Sequence, residues 1–376
     1  MKTQISQYTF ELVRKHQLPL NQWELPYYLN LISSNYYKLD IIETIALALN
    51  KGVSPKNIVI FNDSFSPTFD YYLKGLAIDH NLHILLWVGN PHSLYPNKKV
   101  LFLSQVFHLF RELNGIINYE RGRKFGLVLD SKYFKQACKI VYNSPSLDSL
   151  REVYGILGNH AVGYVESNKS HREISDLVSN MPLTEEQVSE ITINEPFDRK
   201  SMLESSELPG IVRNHTSRFF DILTEEMRPM VGIIDEAGHL EILGKAHIDK
   251  NYSNWATLDY IRISHESPTE IIAVASSLIL LIVYAATYVE KEEKIKLLKE
   301  QQKTEIERRR GIELENAKKI AEILRCNLNM EKSEISHLTY PHLGTKLSDS
   351  QCDIVASSAE MMNKSKMLVH KVDIKV

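Results

Sequence analysis

Residues 271–289 read IIAVASSLILLIVYAATYV, nineteen positions with no charge, no glycine and no proline. Ser267-Pro268-Thr269-Glu270 precedes them and a dense charge run over 290–307 follows. Ser267 suits a helix N-cap, Pro268 the first helical position, and Glu270 the carboxylate of a capping box. The spacing predicts one long helix over 268–328, about 90 Å long at 1.5 Å per residue. Two readings of its apolar part stay open. A membrane span needs about 20 such residues, and a helix buried all round by protein has the same composition. Residues 250–270 carry two Lys/Arg and residues 290–310 carry eight. Charge bias therefore keeps the C-terminal side in the cytoplasm, which requires the first 270 residues to cross a membrane. No apolar leader follows Met1, so no secretory signal is expected. The expected location is the cytoplasm, or a cytoplasmic domain attached to the inner membrane.

Beyond the apolar stretch, Glu290–Lys294, Glu292–Lys296, Glu305–Arg309 and Glu315–Lys319 are i,i+4 pairs in the favourable order. Leu314, Ala317, Ala321, Leu324 and Leu328 repeat at alternating three- and four-residue spacing, a short coiled-coil seam. Self-association through 268–328 is expected. Residues 329–376 read as a loosely ordered tail with one more helix near 353–362.

Upstream, short apolar runs alternate with helical patterns. Residues 57–61, 83–88, 100–103, 125–129 and 161–165 read as buried strands. Residues 40–50, 69–80, 105–113, 131–141 and 146–157 read as helices. Apolar strands separated by helices predict an α/β N-terminal domain over 1–190 with a mostly parallel sheet. Thr184 and Gln187 have capping-box spacing. After a linker near 195–210, a small α+β domain runs to 267. In it, 231–234 and 240–243 form a predicted hairpin and 258–263 a strand.

A net charge of −3, from 44 basic and 47 acidic side chains, gives no basic field, so nucleic acid is not indicated. Cys138, Cys326 and Cys352 match no zinc or disulfide spacing, which fits a reducing compartment. The fourteen histidines form no metal-ligand pair, and no structural metal is predicted.

Three groups of residues are candidates for chemistry. Asp63 and Asp130 each follow a predicted strand, where paired carboxylates can hold Mg²⁺ for phosphoryl chemistry. Against this, Asp130 suits a helix N-cap and Asp63 a turn. The second group is Gly155, Gly158, Asn159 and His160, with glycines able to bring backbone N–H groups to a phosphate and a histidine able to move a proton. Gly158-Asn159 also suits a helix C-cap. The third is Arg121 and Arg123, flanking Gly122, which can grip a phosphate or an acidic partner or form a solvated loop.

The junction Tyr260-Ile261-Arg262-Ile263-Ser264-His265-Glu266-Ser267-Pro268-Thr269-Glu270-Ile271 resembles a module in assorted bacterial proteins, some from mobile-element and phage-defence loci. There a small β-rich unit leads through Ser-Pro-x-Glu-Ile into an apolar helix with a charged extension. Over 195–325 the resemblance implies an assembly or membrane-docking module and no catalytic residue. The leading expectation is an interaction or effector protein whose α/β domain senses a ligand or partner. The alternative is a Mg²⁺-dependent phosphohydrolase or nuclease using Asp63 and Asp130.

Overall fold

The computed structural model describes residues 7–14, 23–66, 73–123, 126–197, 209–248, 259–264, 269–275 and 367–375. The chain divides into two compact units, one made of Met1–Leu47 with Ala246–Val376 and the other of Ala48–Lys245. The second is thus continuous in sequence and inserted within the first.

The inserted unit is built on a five-stranded sheet. Its strands are β2 (Ile58–Ser64), β3 (Leu76–Ala77), β4 (Pro91–Ser93), β5 (Pro229–Ile234) and β6 (His239–Ile242), in the order β3-β6-β5-β2-β4. Every pairing is antiparallel. This overturns the expected mostly parallel sheet. The continuous apolar run of β2 does mean burial on both faces, since Ile58, Val59, Ile60 and Phe61 are each no more than 2% exposed. Burial on both faces says nothing of strand direction, however. The neighbours of β2 are set by the distant pairs Ile58↔Ile233 and Val59↔Ser93. The hairpin near 231–243 belongs to this same sheet and is not part of a separate domain. Gly232 is required within it, because a Cβ there would lie 2.8 Å from the Glu241 carbonyl.

Helices cover the sheet. They are α2 (Lys98–Glu120), α3 (Ser131–Asn143), α4 (Leu147–Val162), α5 (Asn168–Ser179), α6 (Glu185–Asn194) and α7 (Gly210–Glu225). The Asn97 side chain accepts from Val100 N to cap α2. Phe102, Val106, Phe107, Leu109, Phe110, Leu113 and Ile117 of α2 are fully buried. α2 packs on β4 and on α3, α4 and α5. The predicted strand at 100–103 is the first turn of this helix, its four apolar residues being the start of a longer helical stripe. Residues 83–88 belong to a 3-10 helix, Leu82–Val88. Residues 161–165 are the end of α4 and the turn after it. The predicted helix at 69–80 falls partly outside the described residues, and its described part holds β3. The capping box at Thr184 and Gln187 is present at the start of α6.

The other unit contains a four-stranded antiparallel sheet in the order β7-β8-β1-β9. Its strands are β1 (Gln7–Arg14), β7 (Asp259–Ser264), β8 (Thr269–Ala275) and β9 (Met367–Lys375). Thus 269–275 form a strand, not the first turns of a long helix. Tyr8↔Ala275 and Arg14↔Thr269 bound its register with β1. Thr269, Ile271, Ile272 and Val274 are β-branched, which favours a pleated strand over a helix. The rest of the predicted long helix, its coiled-coil seam and the tail helix near 353–362 lie outside the described residues. Helix α1 (Glu24–Asn50) starts in this unit. His247, on the short helix α8 (Lys245–Ile248), hydrogen-bonds Asp40 of α1 at 2.9 Å and meets the Tyr37 ring edge-on at 5.1 Å.

Among the described residues, α2 alone is long and apolar enough to cross a membrane. Over half of its most apolar window is buried within the unit, as in the core helix of a globular fold.

Candidate functional site: a cavity beside helix α2

One side of α2 is neither wholly apolar nor wholly solvated. Arg111, Asn114 and Asn118 follow one another at three- and four-residue spacing and so share a helix face. Both asparagines are buried, Asn114 at 6% and Asn118 at 7% exposure. Asn114 Oδ1 accepts from Val128 N at 2.9 Å and Leu129 N at 3.0 Å, while its Nδ2 donates to the Phe110 carbonyl at 2.8 Å. Asn118 Nδ2 donates to the Gly126 carbonyl at 2.7 Å. These amides hold the chain at 126–129 against α2. They also explain why the apolar run predicted as a strand at 125–129 is not one over its described part. Its backbone groups bond to side chains of a helix, and no sheet partner is needed.

Between this loop, α2 and the 3-10 helix lies a cavity of about 490 Å³. Phe110 and Leu86 form its apolar floor; Trp87, Tyr119 and Leu127 stand around it. These three are among the few large apolar side chains the described residues leave exposed, at 42%, 74% and 40%. Arg111 and Arg123 both line the cavity, and among the described residues no acidic one does. Gly115 lines it too, and a Cβ there would meet nothing within 4 Å.

Arg111 Nη2 donates to Asp63 Oδ2 at 2.8 Å, and Nη1 lies 3.4 Å from Asn90 Oδ1. Asp63 stands in β2, and the 89–90 turn comes close beside it. Gly89 has φ +92°, and a Cβ there would lie 2.8 Å from Asp63 N, so only glycine fits. Asn62 Oδ1 accepts from Asn90 N at 2.6 Å and ties the turn down.

Asp63 is therefore the partner of a cation. Asp130 is the N-cap of α3, accepting from Lys132 N at 2.9 Å with Lys132 Nζ at 3.3 Å. The backbone hydrogen bond from Lys132 is the main influence holding its carboxyl below the usual range. Among the described residues no three His, Cys, Asp or Glu side chains are grouped as metal ligands. Gly155, Gly158, Asn159 and His160 all lie inside α4, not in a phosphate loop. Gly158 serves packing, since a Cβ there would lie 2.5 Å from Val178 of α5. The His160 ring stacks on Tyr133 at 3.6 Å. The helix ends at Gly163, not at Gly158-Asn159.

Arg121 is the C-cap residue of α2; its guanidinium donates to the Tyr164 carbonyl at 3.2 Å and covers the Tyr164 ring. Arg123 alone of the residues proposed from sequence reaches the cavity. Glu120 points the other way. It accepts from the backbone of Glu166 and Ser167 and from the Ser167 hydroxyl, anchoring the start of α5. Hydrogen bonding from Ser170, then Glu166 and Ser167, brings its carboxyl down to about 2. The sequence signal that reveals the site is the polar triplet Arg111, Asn114 and Asn118 on an otherwise apolar helix.

No protein-family model matches the chain, and neither the characterised proteins nor the solved structures include a match to it.

Proposed function

We propose that this chain is a ligand-responsive interaction protein, in which the inserted unit binds a small anionic molecule in the cavity beside α2. The observation that carries this reading is the lining. Among the described residues, two guanidinium groups and no carboxylate face a space that exposed aromatic side chains surround. Its volume lies within the roughly 300–1,000 Å³ of small-ligand sites. A binding role also fits the two aspartates, each of which is engaged by a cation.

Self-association belongs to the same proposal and rests on sequence. The i,i+4 pairs and the 314–328 seam support an assembling helix downstream of β8. The resemblance to modules of mobile-element and phage-defence proteins supports assembly as well. Strand β8 departs from that pattern at the point where an apolar helix would begin.

The test is a thermal-shift screen of the full chain against inorganic phosphate, nucleoside monophosphates, sugar phosphates and aryl carboxylates. Gly115→Leu, which fills the cavity, is run beside it. A compound that stabilises the native chain and not the variant supports the reading. Equal stabilisation of both, or of neither, overturns it. For assembly, sedimentation velocity of the full chain with Leu314→Glu and Leu324→Glu should show an oligomer becoming a monomer. An unchanged sedimentation coefficient would remove that half of the proposal.

A further inference from the structure

The geometry points to a nucleoside monophosphate as the class of ligand, with its phosphate displacing Asp63 from Arg111 and its base stacking on Trp87. This rests on the ligand-binding reading above and adds which molecule the cavity selects and what it displaces.

Arg111 is held by a partner that is easily replaced. The side chains of the pair are 37% and 47% exposed, and an ion pair so placed contributes little. Of the five N–H donors of the guanidinium, the described residues engage two, through Asp63 and Asn90. The other three suit a phosphate, which brings more charge and more acceptor oxygens than one carboxylate. Arg123 has no carboxylate partner among the described residues, so it adds an uncompensated positive charge to the same cavity.

The aromatic side chains differ in what already covers them. Lys169 Nζ sits 5.2 Å from the centre of the Tyr119 ring, so one face of that ring is taken. Trp87 has no ring or cation contact among the described residues and is 42% exposed. A large exposed indole beside two arginines is a platform for a flat ring joined to an anion. Stacking on it does not depend on which base is present. The volume of the cavity suffices for one base with its sugar and phosphate.

The experiment is calorimetric titration of the full chain at low salt with AMP, adenosine and inorganic phosphate. AMP is expected to bind at least ~10-fold more tightly than either of the other two. Asp63→Asn, which releases Arg111, should tighten AMP binding by about 5-fold, and Arg123→Gln should weaken it by about 10-fold. Trp87→Ala should weaken AMP about 10-fold and leave inorganic phosphate unchanged. Circular dichroism confirms that each variant is folded.

If AMP and phosphate bind alike and Trp87→Ala has no effect, the nucleotide assignment is overturned while an anion site remains. If Asp63→Asn weakens AMP, the displacement is overturned. If AMP does not bind but another anion stabilises the native chain and not Gly115→Leu, this inference falls and the binding reading stands. If no compound is distinguished by Gly115→Leu, both fall.

Discussion

The imidazole of His215 lies stacked on that of His92, the ring centres 4.2 Å apart and the planes inclined by 29°. His92 Nε2 bonds the His215 carbonyl at 2.9 Å, and Ser93 Oγ lies 3.1 Å from His215 Nε2. The pair clamps α7 onto β4. Burial lowers the pKa of both rings, that of His215 to about 3; the charge of His92 also opposes that of His215, and Arg218 opposes that of His92. The folded state therefore binds fewer protons here than the unfolded state. Stability is complete above about pH 6.5, the ordinary histidine value, and is lost as pH falls from there toward 3. Between pH 7.5 and pH 5 the loss should be about 2 kcal/mol. Urea midpoints at the two pH values measure it. The double variant His92→Gln, His215→Asn should show a clearly flatter pH dependence; an equally steep one would refute the assignment.

Asn114 is the fastening of the cavity loop. Asn114→Ala removes the acceptor shared by Val128 N and Leu129 N and a donor to Phe110. Two backbone donors are left without that partner, at a cost of about 3 kcal/mol. Chemical denaturation measures the loss. Limited proteolysis should cut near 126–129 first, because the loop loses its attachment before the sheet does.

Two glycines should respond in opposite directions to alanine. Gly115→Ala places a methyl in open space on a helix and should raise stability by about 0.5–1 kcal/mol. Gly89→Ala meets both a positive φ and the backbone of Asp63, and should lower it by about 2 kcal/mol or more. The difference in melting temperature between the two variants is the readout.

Tyr154 is 2% exposed, and its hydroxyl has no hydrogen-bond partner among the described residues. Burial raises its pKa to about 12, so it stays protonated at any physiological pH. Tyr154→Phe removes an unsatisfied polar group and keeps the ring. Stability should rise by about 1 kcal/mol. A loss of that size would show that the hydroxyl bonds an ordered water.

The features that could be read in the sequence are those written within a few residues of one another. β2, the caps at Asp130 and Thr184 and the hairpin of β5 and β6 rest on local signals, and each is present. The direction of the sheet depends on Ile58 meeting Ile233, and no local pattern records that pairing. The run 125–129 has the composition of a strand, but Asn114 and Asn118 give its described backbone another partner. Ser267-Pro268-Thr269-Glu270 signals a helix start for 271–275, yet the β-branched residues there pair with β1. Of the cavity, Arg123 is legible from its charge. Trp87 and Arg111 are not, because they lie in an apolar run and on a long helix that reads as core.

The nesting of one unit inside the other sets an order of events during synthesis. β1 is made before the inserted unit, yet its two neighbours, β8 and β9, are made only after the whole of that unit has emerged. The inserted unit is contiguous and can close its own sheet while the chain is still growing. Until β9 arrives, β1 waits with an unpaired backbone edge, the kind of surface that templates aggregation and draws chaperones. A ribosome that stalls between β8 and β9 would leave a folded centre attached to an unfinished sheet.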